Sequence, residues 1–209
     1  MSPRIHPSAI IEPGVEIGAR TAVWDAVHIR GPAHVGHDCI IGEKTYIAYG
    51  VRVGSFVKIN AQVYVCTGVT IEDRVMVAAG VIFTNDRYPR ACADGADALA
   101  PSEPTADTLH TTVCEGATIG AGAVIGPGIV IGAFAMVGMG AVVVSDVPPQ
   151  ALVYGNPARV HGYVCICGSP LQRVADRDCK RCARCGKTYD LAADGGLEES
   201  QKSKGKTQK

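Results

Sequence analysis

The sequence predicts an all-β protein, a parallel β-helix with three flat sides, each one hexapeptide long. Three observations carry this. Large apolar residues recur at every sixth position from Ile5 to Phe83. The same period resumes in phase from Val113 to Val143. Glycine often follows these residues directly, as at Gly18, Gly36, Gly42, Gly54, Gly120, Gly126, Gly132 and Gly138. A period of six fits neither an amphipathic helix nor an alternating strand, but it fits a coil that turns three corners.

The first run steps through Ile5, Ile11, Ile17, Val23, Ile29, Val35, Ile41, Ile47, Val53, Ile59, Val65, Ile71, Val77 and Phe83. Each is expected to point inward and to stack on its equivalent one coil later, at the strand spacing of about 4.8 Å. Four residues after each of these positions stands a small or β-branched residue, such as Val15, Thr21, Val27, Val51, Ala123 or Ala135, suited to the space near a corner. Cys39 takes such a position and is read as core. The interior of this coil is a packed core and leaves no pore.

Between the two runs the rhythm stops, over residues 85–112. A break of that length in a compact domain is characteristic of a functional loop and sets a catalytic β-helix above a bare scaffold. The β-helix is assigned to residues 1–148. Residues 149–162, rich in proline and glycine, read as a closing segment, 163–190 as a cysteine-rich module, and 191–209 as a polar, disordered tail.

Composition narrows the function. Twenty Lys+Arg balance twenty Asp+Glu, which argues against a nucleic-acid surface. No stretch has the uninterrupted apolar length of a membrane span. The first ten residues, MSPRIHPSAI, lack the apolar core of an export signal, and the nine cysteines are an odd number. Reduced thiols in a cytoplasmic protein are the expectation.

Within the cysteine-rich module, Cys165-Ile-Cys167-Gly is followed by Cys182-Ala-Arg-Cys185-Gly. Two close pairs, each followed by glycine, are the pattern of a zinc ribbon, and four thiolates make a closed structural site. The first pair is one residue shorter than the usual CxxC, and Cys179 stands near enough to replace a ligand.

Four segments carry a resemblance. TAVWDAVHI at 21–29, VIFTNDRYPRA at 81–91, GATIGAGAVIGPGIVIG at 116–132 and SDVPPQALVYGNPARVHGYVCICG at 145–168 are similar to those of acetyl-CoA-dependent hexapeptide acyltransferases. FTND followed by YPR, with GNPAR and the cysteine tail, resembles the subgroup that acetylates UDP-2-acetamido-3-amino-2,3-dideoxy-glucuronate-type sugars for surface polysaccharides. The resemblance implies a left-handed helix, acetyl-CoA as co-substrate, a nucleotide-sugar acceptor and a homotrimer with the CoA site between subunits. Two positions depart from the subgroup: Asp25 stands where a histidine is usual, and INAQVYVC at 59–66 replaces a QNNVSVY-like coil.

Carried over by motif, Asn85 faces the acceptor amine and orients it, with Asp86 beside it acting on the amine or only holding the loop. His28 matches the histidine of the WxxxH stretch, and two roles fit it: a base or a structural corner. His110, at the end of the loop, is a weaker candidate. The main chains of Ala121 and Met139 match the thioester and pantetheine contacts, Val144 stands where relatives often carry threonine, and Asn156 and Arg159 of GNPAR match the CoA-phosphate end. The Gly-Asn-Pro run also reads as a turn that closes the helix.

VHIRGPAHVGHD at 27–38 resembles the coils of γ-class carbonic anhydrases, which bind metal through three histidines. Their paired histidines in a later coil have no counterpart here: His34 and His37 come too early, and VKINAQVYV contains none. A non-enzymatic β-helix scaffold is the third reading.

Overall fold

The computed structural model describes residues 1–92, 97–100, 104–105, 107–174, 179–191 and 197–200. No helix occurs among them, and none is long and apolar enough to cross a membrane. Short strands of two or three residues, joined by tight turns, build three sheets of nine, six and seven strands, parallel except where the nine-stranded sheet ends in the longer antiparallel hairpin Ala151–Gly155 and Ala158–Tyr163, and a fourth sheet of four antiparallel strands follows. This is the β-solenoid of a left-handed hexapeptide β-helix.

Away from the long loop and the last coil, each strand of the helix pairs with the one eighteen residues on, as Arg4 with Ala22 and Lys58 with Met76. Three hexapeptides therefore make one coil. The inward positions are sealed: Ile29, Ile41, Ile47, Val53, Ile59, Val65, Ile119, Ile125 and Ile131 are all at 0% exposure. The corner positions Thr21, Val27, Val51 and Ala123 are equally buried, and Cys39 is in the core at 1%. Turns hold residues in the left-handed region, among them Arg20, Lys44, Gln62 and Gln150.

The long loop leaves the register intact. Thr70 pairs with Thr112, forty-two residues on, where the coil before it steps by eighteen, so the twenty-four extra residues equal four whole hexapeptides. Ile82 and Phe83 then stack directly on Val124 and Ile125.

Four expectations are adjusted. Ile5 is 40% exposed and Ile11 and Ile17 are only half-buried, because no coil lies beneath the first one. Thr111 and Thr112, placed in the loop, belong to the strand Thr111–Val113. The coil does not stop at 148: Leu152 and Val153 pair in parallel with Met136 and Val137. That coil is two residues shorter than eighteen, which hides it from a strict step of six. Finally, the strand Leu197–Glu199 pairs antiparallel with Thr188–Leu191 inside the stretch read as tail, and Lys187 Nζ meets Glu199 at 2.5 Å. The rest of 191–209 apart from Leu191 and Ser200 lies outside the described residues.

Candidate active site and thiolate cluster

Because strands stack in register, outward residues form columns. On the seven-stranded side, His28, Tyr46, Tyr64 and Ile82 are successive members of one column. Tyr46 and Tyr64 stack with ring centroids 5.2 Å apart and 6° between planes, and His28 meets Tyr46 edge-on at 5.5 Å.

At the corner that follows these strands opens a cleft of about 470 Å3, lined by Arg30, Tyr46, Tyr49, Tyr64, Cys66, Thr67, Asn85, Asp86 and Arg90, with Ala48, Ala91, Leu99 and Ala100. Asn85 and Asp86 enter it because the inserted loop starts here, right after Thr84, whose hydroxyl is tied to the Ile125 carbonyl at 3.1 Å. Thr67 hydroxyl donates to Tyr49 carbonyl at 2.8 Å. Burial pushes the Cys66 thiol up to about 11, so it stays neutral. Arg30 reaches over the Tyr49 ring at 5.3 Å and bonds the Glu12 carboxylate at 3.1 Å.

His28 stands outside this lining. It is three rungs from Ile82, roughly 14 Å at strand spacing, and its Nε2 lies 2.9 Å from Glu12 Oε1. The pairing with His28 lowers the Glu12 pKa. His34 and His37 are likewise engaged by carboxylates, Glu16 at 3.3 Å and Asp38 at 2.7 Å. Among the described residues no group of three or more metal-ligating side chains includes a histidine.

The cofactor candidates fall at different corners. Ala121 and Met139 are stacked neighbours at the corner preceding the seven-stranded side, where the Ala121 carbonyl accepts the Gly140 N–H at 2.8 Å. Met139 is 82% exposed. Val144 lies at the other corner, on the column of Thr84 and Gly126, and is also exposed. Asn156 and Arg159 sit on the hairpin Ala151–Gly155 and Ala158–Tyr163, with Arg159 paired to Tyr154. Within one chain, Asn85 and the Ala121–Met139 corner flank opposite edges of the same sheet and do not converge.

Sequence reasoning missed Arg30, Tyr46, Tyr64, Cys66 and Arg90 as cleft residues. The signal was present: His28, Tyr46 and Tyr64 are eighteen residues apart, one coil each.

The four cysteines do converge. The Sγ atoms of Cys165, Cys167, Cys182 and Cys185 all lie within 4.8 Å of one another, with Cys165–Cys185 at 3.4 Å and Cys167–Cys182 at 3.6 Å. A tetrahedral site with bonds of 2.3 Å has edges of about 3.8 Å. Cys179 is not part of the cluster; it pairs with Asp190 in the sheet. The Cys165 thiol is pushed up by burial, and Cys167 is pulled down to about 6, chiefly by the backbone N–H of Ser169. Tyr189 hydroxyl is 3.1 Å from Cys165 Sγ.

Comparison with known proteins agrees with the coil geometry. The profile described as hexapeptide repeat of succinyl-transferase matches residues 32–66, 61–85 and 111–145. Over these 89 of its 209 residues the chain is built of the hexapeptide repeats that this family model describes. Among hexapeptide-repeat relatives, a dTDP-3-amino-3,6-dideoxy-alpha-D-galactopyranose 3-N-acetyltransferase of Aneurinibacillus thermoaerophilus is 41% identical over 82 residues, 39% of this chain and 41% of the relative. An acyl-[acyl-carrier-protein]–UDP-N-acetylglucosamine O-acyltransferase of Brucella ovis is 34% identical over 55 residues, 26% of this chain and 20% of the relative. The matched segments thus span less than half of either relative. A solved structure of a Bacillus cereus acetyltransferase described as putative shares the fold, with a TM-score of 0.52, 24% identity and coverage of 78% of both chains.

Proposed function

We propose that the protein transfers an acetyl group from acetyl-CoA to an amine of a nucleotide-linked amino sugar, in the cytoplasm, for surface-polysaccharide synthesis. The observation that carries this is the cleft of Tyr46, Tyr64, Arg30 and Arg90, with Asn85 and Asp86 where the inserted loop begins. Aromatic faces and guanidinium groups suit a base and a diphosphate. An amide and a carboxylate suit an amine. The Aneurinibacillus relative, an N-acetyltransferase for a dTDP-linked amino sugar, supports the same reading.

The reaction needs little from the protein beyond placement and charge stabilisation. The neutral amine nitrogen attacks the thioester carbonyl carbon. The tetrahedral adduct collapses, the C–S bond breaks, and the proton shed by nitrogen goes to the leaving sulfur, directly or through water. The products are the amide and CoA thiol. Asn85 orients the amine, and Asp86 accepts a hydrogen bond from its N–H or holds the loop. His28 takes the structural role, because it stands outside the cleft lining and ties its coil to Glu12 of the coil below.

Since Asn85 and the Ala121–Met139 corner flank opposite edges of one sheet, the complete site is made by two chains of a homotrimer. The apolar residues left exposed on and beside that sheet support this: Ile10, Ile82, Met139 and Val144. Asn156 and Arg159 take the CoA-phosphate end. Cys165, Cys167, Cys182 and Cys185 hold a structural zinc. An acceptor screen with acetyl-CoA, reading thiol release across nucleotide-linked amino sugars, free amino sugars and serine, tests the activity.

A further inference from the structure

We infer that the four-cysteine module is the terminal cap of the β-helix, docked by Gln150, and that its metal occupancy controls the order of the hairpin 151–163. The end of a solenoid presents unpaired backbone and a cut apolar core, and needs a cap. Here the chain runs from the second hairpin strand into the module without a linker: Tyr163 closes the hairpin, Val164 follows, and Cys165 is the first thiolate.

Gln150 makes the junction. Its backbone is in the left-handed region at φ 57°, and its N–H donates to Ala133 carbonyl of the preceding coil at 2.9 Å. The residue is 6% exposed, which makes it one of few buried polar residues outside the threonine corners. Both polar groups of the Val164 backbone are bound by it. Val164 N–H donates to Gln150 carbonyl at 2.8 Å, and Gln150 Nε2 donates to Val164 carbonyl at 3.1 Å. Val164 and Cys165 are both sealed, at 0% and 1% exposure.

On the module's side, Val164 bridges Pro170, Cys165 N–H donates to Ser169 carbonyl at 2.8 Å, and Gly168 N–H returns to Cys165 carbonyl at 2.7 Å. That turn exists to present Cys165 and Cys167 to the other two thiolates. Lys180 of the module lies 5.2 Å from the Tyr163 ring, a second contact across the junction. A module this small has almost no core of its own: Cys165, Cys182 and Tyr189 are its buried cluster. Its order therefore depends on the bound metal. Whatever orders the turn also fixes Val164, and Val164 fixes the end of the hairpin.

The test uses the full chain and three readouts, none of them turnover, so loss of the acetyl-transfer reading leaves it standing. Purified protein is analysed for zinc, and amide exchange is followed in residues 136–164 with and without removal of the metal by a chelator and a thiol reagent. One zinc per chain is expected. Its removal is expected to expose amides across 151–163 while Met136–Val143 stays protected. Gln150→Ala should keep the zinc stoichiometry, release zinc to the chelator roughly two- to tenfold faster, the effect of one neutral hydrogen bond, and loosen the hairpin with metal still bound. Unchanged exchange at 151–163 on metal removal would make the module an independent appendage and overturn the proposal, as would zinc-free protein with a protected module. If Gln150→Ala abolishes folding, Cys182→Ser with Cys185→Ser carries the same exchange comparison.

Discussion

Tyr46 lies flat against Tyr64, one coil above, and the pair walls the cleft that also contains Asn85. Tyr64 is 45% exposed, so part of its ring is open to a ligand in the cleft. A planar base laid on this pair gains stacking worth about 1 kcal/mol or more. Tyr64→Ala should therefore raise KM for the nucleotide-sugar acceptor by about tenfold, with KM for acetyl-CoA nearly unchanged. Steady-state kinetics with each substrate varied in turn reads the difference. Equal rises in both constants would remove the tyrosines from the acceptor side.

Cys66 lines the same cleft, yet burial keeps its thiol protonated, with a pKa pushed up to about 11. Cys92 in the inserted loop is exposed. With the folded protein held below pH 9, a thiol-alkylating reagent should mark Cys92 early and leave Cys66 unmodified, since the thiolate is the reacting form. Peptide mass analysis over time checks the order. Early labelling of Cys66 would mean an open, activated thiol in the cleft.

Acid should expose one specific ion-pair cluster. Asp38 accepts from Arg20 Nε at 2.6 Å and Nη2 at 2.5 Å, with His37 Nδ1 at 2.7 Å. These partners, Arg20 first, hold its pKa down to about 2 from 3.8. A depressed carboxylate pKa contributes stability that is complete above the unfolded value and is lost as pH falls through the folded one. Thermal unfolding of the wild type should thus worsen between pH 3.8 and about 2 more steeply than that of Asp38→Asn. Parallel curves for the two proteins would contradict the assignment.

Gly120 is a position where a side chain does not fit. A Cβ there would lie 2.5 Å from Met139 N and 2.7 Å from Gly138 C, backbone atoms that cannot swing aside. Gly120→Ala should cost about 1–3 kcal/mol and displace the Ala121–Met139 corner, raising KM for acetyl-CoA. Gly122→Ala is the control: it meets open space, and its cost comes from φ of +67° alone. Denaturant melts of both variants, with KM for acetyl-CoA, separate the corner from general destabilisation.

The coil was legible because each hexapeptide repeats one demand, an aliphatic residue inward at Ile29, Ile47 or Ile119, and that demand survives the loop in phase. The last coil was not, because shortening it by two residues moved Val147 and Val153 off the step of six. The placing of Asn85 and Asp86 at the start of the loop was readable from motif, and both line the cleft. The aromatic column of Tyr46 and Tyr64 was missed, since outward residues of a β-helix carry no packing constraint to mark them; only their eighteen-residue spacing does. The four cysteines were readable as two pairs, but their seating on Gln150 was not, because a hydrogen bond between a side chain and a distant backbone leaves no periodic trace.

The central claim is acetyl transfer to an amino group held at Asn85. The direct measurement is acetyl-CoA-dependent thiol release with a nucleotide-linked 3-amino sugar, for the wild type and for Asn85→Ala, alongside acetyl-CoA binding by calorimetry. The account predicts turnover with the nucleotide-linked amine, weaker turnover with the free sugar, and a fall of about a hundredfold in Asn85→Ala with acetyl-CoA binding preserved. Absence of thiol release with every amine acceptor, or full activity in Asn85→Ala, would contradict it.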